Sequence, residues 1–126
     1  MIVDRKDNQI ICTSFAKGRR HDFRLFKESK IRVHPNIKIQ SDTGYQGLLK
    51  LHSNSELPKK RSRKNPLTKE DKNRNRQISS ERVAIEHVIG YVKRFKVISE
   101  RYRNRRKRFA LRFNLIAGIC NYEVRC

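Results

Sequence analysis

Between Pro58 and Pro66 the chain reads PKKRSRKNP, a run with five cations and no large apolar side chain. No core can bury such a segment, and its bounding prolines discourage a helix or strand from running through it. The fold must therefore be assembled from the stretch before it and the stretch after it. The run itself is expected to be an exposed, mobile linker whose charge faces solvent or phosphate.

The charge of that linker is part of a larger imbalance. The 126 residues carry 32 Lys and Arg against 12 Asp and Glu, a formal net charge of +20. Lys59 to Arg76 holds nine of the basic residues and Lys93 to Arg112 holds ten, so the charge is organised into two segments. Cations at this density gain most by displacing counterions from a phosphate backbone, which points to DNA or RNA as partner. With 36% hydrophobic residues the chain can build one modest core, and a single domain is expected.

Other classes are disfavoured. The longest uncharged stretch near the C-terminus, Phe113 to Tyr122, falls far short of the roughly 20 apolar residues that span a bilayer. The N-terminus has no apolar run of signal-peptide length, so a cytoplasmic protein without a membrane partner is expected. Cys12, Cys120 and Cys126 are odd in number and match no paired metal-ligand spacing, which favours reduced thiols over zinc ligands. His21, His34, His52 and His87 form no i, i+4 pair.

Before Pro58 the pattern is mixed. Ile2-Val3, a polar turn at Lys6-Asp7-Asn8 and Ile10-Ile11-Cys12 read as a hairpin. His21-Asp22 precedes Phe23, Leu25 and Phe26, placing Asp22 at the positive end of a short helix. Ile37-Lys38-Ile39 alternates as a short strand and leads into Asp42-Thr43-Gly44-Tyr45-Gln46-Gly47, so Asp42 sits at a strand end. After Pro66 the chain turns helical. Thr68 and Asp71 approximate a capping box opening a helix over 68–96, and Phe109, Phe113, Ile116 and Cys120 recur at helical spacing over 105–122. The basic linker is expected to remain exposed over 58–76, overlapping the start of the first of these helices.

On the first of these helices Arg82, Glu86 and Lys93 fall within about 40° of one another at 100° per residue. Ile78, Ile85, Ile89 and Val92 form an apolar stripe about 60° to one side, which puts Glu86 at a half-shielded border between core and solvent. By spacing alone, Arg82 and Glu86 equally fit an ordinary i, i+4 ion pair.

The residues also resemble a family. Arg82, Glu86 and Lys93 match the third-motif spacing of bacterial insertion-sequence DDE transposases, with Ser79 standing where that motif has tyrosine. The loop Asp42 to Gly47 resembles their second-Asp motif, and Gly18-Arg19-Arg20-His21-Asp22 resembles their Gly-x-x-His-Asp element. The run Arg101-Tyr102-Arg103-Asn104-Arg105 through Phe109, with Asn114 to Gly118, is similar to their C-terminal end.

This resemblance implies an α/β, RNase-H-like fold, here incomplete: an N-terminal hairpin and short strand, then two C-terminal helices. It implies that residues 1–126 are part of a catalytic domain in which carboxylates from two strands and a helix converge on two divalent ions, usually Mg2+. Hard cations favour carboxylate oxygens, and two such ions can activate a hydroxyl and stabilise the leaving oxygen of a phosphodiester displacement. Carried over by motif, Asp42 and Glu86 are catalytic and metal-binding. Arg82 and Lys93 would hold DNA phosphates, joined by Lys59, Lys60, Arg61, Arg63 and Lys64 of the linker; His21 and Asp22 are structural or adjacent to the site. The family's first Asp belongs to a strand ahead of everything found here. Alone, then, the chain is expected to bind metal weakly or not at all, to be inactive and to bind DNA, and to be either a relic or one half of a split enzyme with an upstream transposase fragment as its partner. The absent strand is expected to leave a sheet edge bare. The alternative from the same charge is a small basic nucleic-acid-binding or ribosome-associated protein without catalysis.

Overall fold

A polar turn folds β1 (Ile2–Val3) back on β2 (Ile10–Cys12) as an antiparallel hairpin, with Ile2 opposite Cys12, Val3 opposite Ile10, and an irregularity between the first two. The Asp4 amide donates to the Gln9 carbonyl at 2.8 Å, and Asn8 takes a left-handed conformation (φ 55°), one that asparagine tolerates better than most residues. The computed structural model describes residues 1–16, 18–100 and 106–125. Within it the chain divides into two units, Met1–Phe15 with Val83–Cys126, and Ala16–Arg82. The linker is therefore internal to a unit.

The first unit packs the hairpin against the end of α3 (Lys69–Lys93), the turn α4 (Lys96–Ser99) and the helix α5 (Phe109–Arg125). Its core is Ile10, Val88, Val92, Ile116, Ala117 and Cys120, flanked by the half-buried Val3, Phe95, Ile98 and Phe113. Phe15 meets Phe109 and Phe113 edge to face, with centroids 5.9 and 5.1 Å apart, a geometry aromatic quadrupoles favour. The helix expected over 68–96 ends three residues sooner. Phe95 adopts an extended conformation (φ −78°, ψ 113°) and packs against the core, and the chain makes one further turn as α4. The helix expected over 105–122 begins at Phe109, after a 3-10 turn over Arg106–Arg108, and continues to Arg125. Residues 101–105, which include its expected start and part of the C-terminal motif, lie outside the described residues.

The strand edge expected to be bare is closed at Ile10. Asn121 of α5 accepts from the Ile10 amide at 2.7 Å and donates to the Ile10 carbonyl at 2.9 Å, so a side-chain amide takes the place of a neighbouring strand. Thr13 adds a hydroxyl bond to Asn114, and Arg125 donates to Gln9 at 3.1 Å.

The second unit is held by small elements. Helix α1 (Asp22–Glu28) is capped by His21, whose ring nitrogen accepts from the Phe23 amide, with Asp22 in the first turn. The strand expected at 37–39 forms slightly later, as β3 (Ile39–Gln40), and pairs in parallel with β4 (Ser55–Glu56), Ile39 opposite Ser55. Between them lie a 3-10 turn (Thr43–Tyr45) and α2 (Leu48–Leu51), whose first turn buries Leu48 to 1% exposure.

The linker departs from its expected freedom at one end. Pro58 is buried, the Lys59 amide donates to Asn75 at 2.8 Å, its carbonyl accepts from the same side chain at 2.9 Å, and its ammonium lies 2.7 Å from Asp71. Residues 60–66 are exposed. The loop thus ends where α3 begins at Lys69, while residues 69, 70, 72–74 and 76 stay exposed on the helix. At that start the capping box is reciprocal: Asp71 accepts from the Thr68 amide and Thr68 accepts from the Asp71 amide, each at 3.1 Å.

Candidate functional site

In the second unit, β3 delivers the chain to Asp42, which caps the 3-10 turn by accepting the Gly44 amide at 2.8 Å. A side chain at position 44 would crowd the Asp42 carboxylate. A Cβ built there lies 3.0 Å from Asp42 Oδ1 and 3.7 Å from His21 Cε1, so glycine lets the carboxylate fold back over the turn with the His21 ring alongside. At the other end of the loop Gly47 takes φ +94° and starts α2 beneath the Phe23 ring, a conformation that L side chains rarely adopt. The two glycines of the loop therefore answer to two different physical demands.

Tyr45 joins these pieces. Its ring packs edge to face on Phe23 and Phe26 of α1, at 5.7 and 6.3 Å between centroids. Burial pushes its hydroxyl pKa up, the charges of Asp22 and Asp42 push it further, and Arg82 opposes them. The phenol stays protonated at neutral pH, a donor within the field of two carboxylates and one guanidinium. Three sequence elements, His21-Asp22, Asp42 to Gly47 and Arg82, thus converge around one aromatic side chain. Tyr45 is not among the expected site residues, although it stands inside the loop motif; its role comes from packing that the motif does not encode.

Behind the site, Glu56 anchors the strand that carries Asp42. Its carboxylate takes the Lys38 ammonium at 2.6 Å, the Gln40 amide at 2.9 Å and the Arg74 guanidinium at 3.5 Å, and these partners hold its pKa below the usual 4.5. Gln40 also donates to Glu81 of α3 at 2.5 Å. No sequence signal marks Glu56, because its partners are distant in the chain and belong to different elements.

Glu86 lies in the first unit and is exposed, not half-shielded. The buried positions of α3 are Ile78, Val88 and Val92, whereas Ile85 and Ile89 are only half-buried. At 100° per residue this turns the buried face about 30° further from Glu86 than the expected stripe. Lys93, the last residue of α3, is exposed, and Arg82 is half-buried. Of the linker cations, Lys60, Arg61, Arg63 and Lys64 are exposed, and Arg61 and Arg63 flank a shallow cleft with Ser62 and Pro66. Lys59 differs from them, since its charge is already engaged by Asp71.

With this geometry in place, comparison with known proteins defines the class. Residues 1–121 match the family described as DDE superfamily endonuclease, and the chain belongs to that family. It is 47% identical over 124 residues to a "probable transposase for insertion sequence element IS702" of Microchaete diplosiphon, a match covering 98% of this chain and 45% of the relative. The chain therefore spans less than half the length of the curated relative it matches. No solved structure matches it.

Enzymes of this family generally use divalent metals. The described residues do not fit such an ion by themselves: no group of three His, Cys, Asp or Glu side chains is arranged to hold one. Asp42 offers a hard oxygen ligand, but its Oδ1 is directed to the Gly44 amide. Cys12 and Cys120 are free thiols; burial raises the Cys120 pKa and keeps it protonated, and Cys126 lies outside the described residues. No helix among the described residues is long and apolar enough to cross a membrane.

Proposed function

We propose that this chain is the portion of an insertion-sequence transposase catalytic domain, of incomplete RNase-H-like fold, that carries the second and third acidic motifs, and that it binds DNA but is inactive alone. The observation that carries the reading is that His21, at the start of α1, lies beside the turn formed by Asp42 and Gly44, so two motifs far apart in sequence meet where the resemblance needs a carboxylate. Asp42 and Glu86 are its catalytic carboxylates, to be completed by a ligand from the rest of a transposase. His21 and Asp22 position the Asp42 turn.

The chain's own part in the reaction is to grip and orient DNA. The exposed Lys60, Arg61, Arg63 and Lys64, with Arg82 and Lys93, place cations where phosphates can reach them, and such contacts bind all sequences alike. Lys59 joins them only by giving up Asp71. The divalent metal, probed as Mg2+, would supply charge neutralisation at the phosphate once a complete ligand set exists. An upstream transposase fragment is the partner that would provide it.

The test is a pair of measurements on the full chain. DNA affinity titrated against salt should fall linearly on logarithmic axes, with a slope made shallower by replacing Lys60, Arg61, Arg63 and Lys64 with alanine. Supercoiled DNA incubated with the chain and Mg2+ should remain uncut. Flat salt dependence would remove the DNA-binding reading, and metal-dependent nicking that survives Asp42→Asn and Glu86→Gln would remove the assignment of these carboxylates.

A further inference from the structure

Helix α5 is apolar on two opposite sides. Ile116, Ala117 and Cys120 face the core, while Leu111, Leu115, Ile119 and Tyr122 remain 70%, 66%, 40% and 72% exposed. At 100° per residue these four lie within about 80° of one another, nearly opposite the buried side. Gly118 falls in the same stripe, and a Cβ there would meet nothing within 4 Å. An apolar stripe on a helix is ordinarily buried, so a helix with one on each of two sides is built to be covered on both. The spacing 111, 115, 118, 122 follows the alternating four and three residues of a helix-packing seam, and the glycine leaves a notch where another backbone can approach closely.

We propose that this outer face of α5 is the docking surface for the part of a transposase that lies outside the 124 matched residues. The inference rests on reading the chain as part of a transposase catalytic domain. More than half of the IS702 relative has no counterpart in this sequence, so its fold contains polypeptide able to cover the stripe. A second copy of the chain fits less well on two counts. Four side chains so exposed offer about 450 Å² per copy, near half of the ~800 Å² per partner that stable dimers bury. Two chains of +20 would also repel.

The experiment co-expresses the full chain with the portion of the IS702 relative outside the match and measures what co-purifies. Two variants are compared with the wild type: Leu111→Gln with Leu115→Gln and Tyr122→Gln, which removes the apolar surface, and Gly118→Leu, which fills the notch while keeping the surface apolar. Because all four positions are exposed, the lone variants should keep the wild-type circular dichroism and melting curve. Co-purification should drop roughly tenfold or more for both. Equal co-purification of the variants, or none with the wild type, overturns the proposal. So does a dimer of the lone wild type that the variants dissolve, or flotation with vesicles of anionic and neutral phospholipid that depends on the same side chains. Nicking of DNA by the co-purified complex is read separately. Association without nicking would sink the catalytic reading and leave the docking face standing; full nicking by both variants would do the reverse.

Discussion

Replacing Asn121 with leucine tests whether one side-chain amide closes the hairpin edge. Asn121 serves both polar groups of Ile10, with bonds of 2.7 and 2.9 Å, and the Ile10 side chain is only 7% exposed. Leucine keeps the branched shape and the number of side-chain heavy atoms, and the half-buried position gives its bulkier methyls room, so packing around α5 should survive while the Ile10 amide and carbonyl lose their partners. A buried backbone group left unsatisfied costs about 1–3 kcal/mol. Two such groups together give about 2–6 kcal/mol. Asn121 is half-buried, so water reaches part of the gap, and leucine recovers some apolar burial. The expected net loss is about 2–3 kcal/mol. Urea denaturation followed by circular dichroism measures it, with the midpoint falling and the slope unchanged. A loss under about 0.5 kcal/mol would refute the reasoning, because it would mean that solvent replaces the clasp at no cost.

Further outcomes follow from other contacts. Thr68→Ala removes half of the reciprocal cap on α3 and should lower stability by about 1 kcal/mol, read from the same denaturation curves. Glu56 has a depressed folded-state pKa, so its stabilising effect is present above pH 4.5 and is lost as pH falls through the lower folded value; melting temperature should drop on acidification below 4.5, and Glu56→Gln should flatten that drop. Gly44→Ala places a methyl group 3.0 Å from Asp42 Oδ1, so the carboxylate must shift and its bond to the residue 44 amide must lengthen. Proton NMR of the Asp42 to Gly47 turn should show that bond weakened, with up to about 1 kcal/mol of destabilisation.

Local and periodic features are legible in the amino-acid sequence. The hairpin, the Thr68–Asp71 cap, the helical character of α3 and α5, and the position of Asp42 at a strand end all rest on neighbouring residues and their spacing. The motifs around Asp42 and Glu86 are legible for the same reason, and they lead to the family. What spacing does not reach is any feature set by a distant partner. By composition Lys59 is one more free cation, yet Asp71 and Asn75 engage it; by periodicity Glu86 sits at a shielded border, yet Val88 turns the buried face of α3 away from it.

Charge, periodicity and capping act over a few residues, and they are enough to set the basic character of this protein, its helical second half and the residue types at its candidate site. Folding alone selects which cations stay exposed, closes the Ile10 edge with Asn121, makes Tyr45 the junction of three motifs and leaves α5 with a second apolar face. Each of these depends on which distant groups meet and compete for one another once the chain has folded, and no local pattern records that competition.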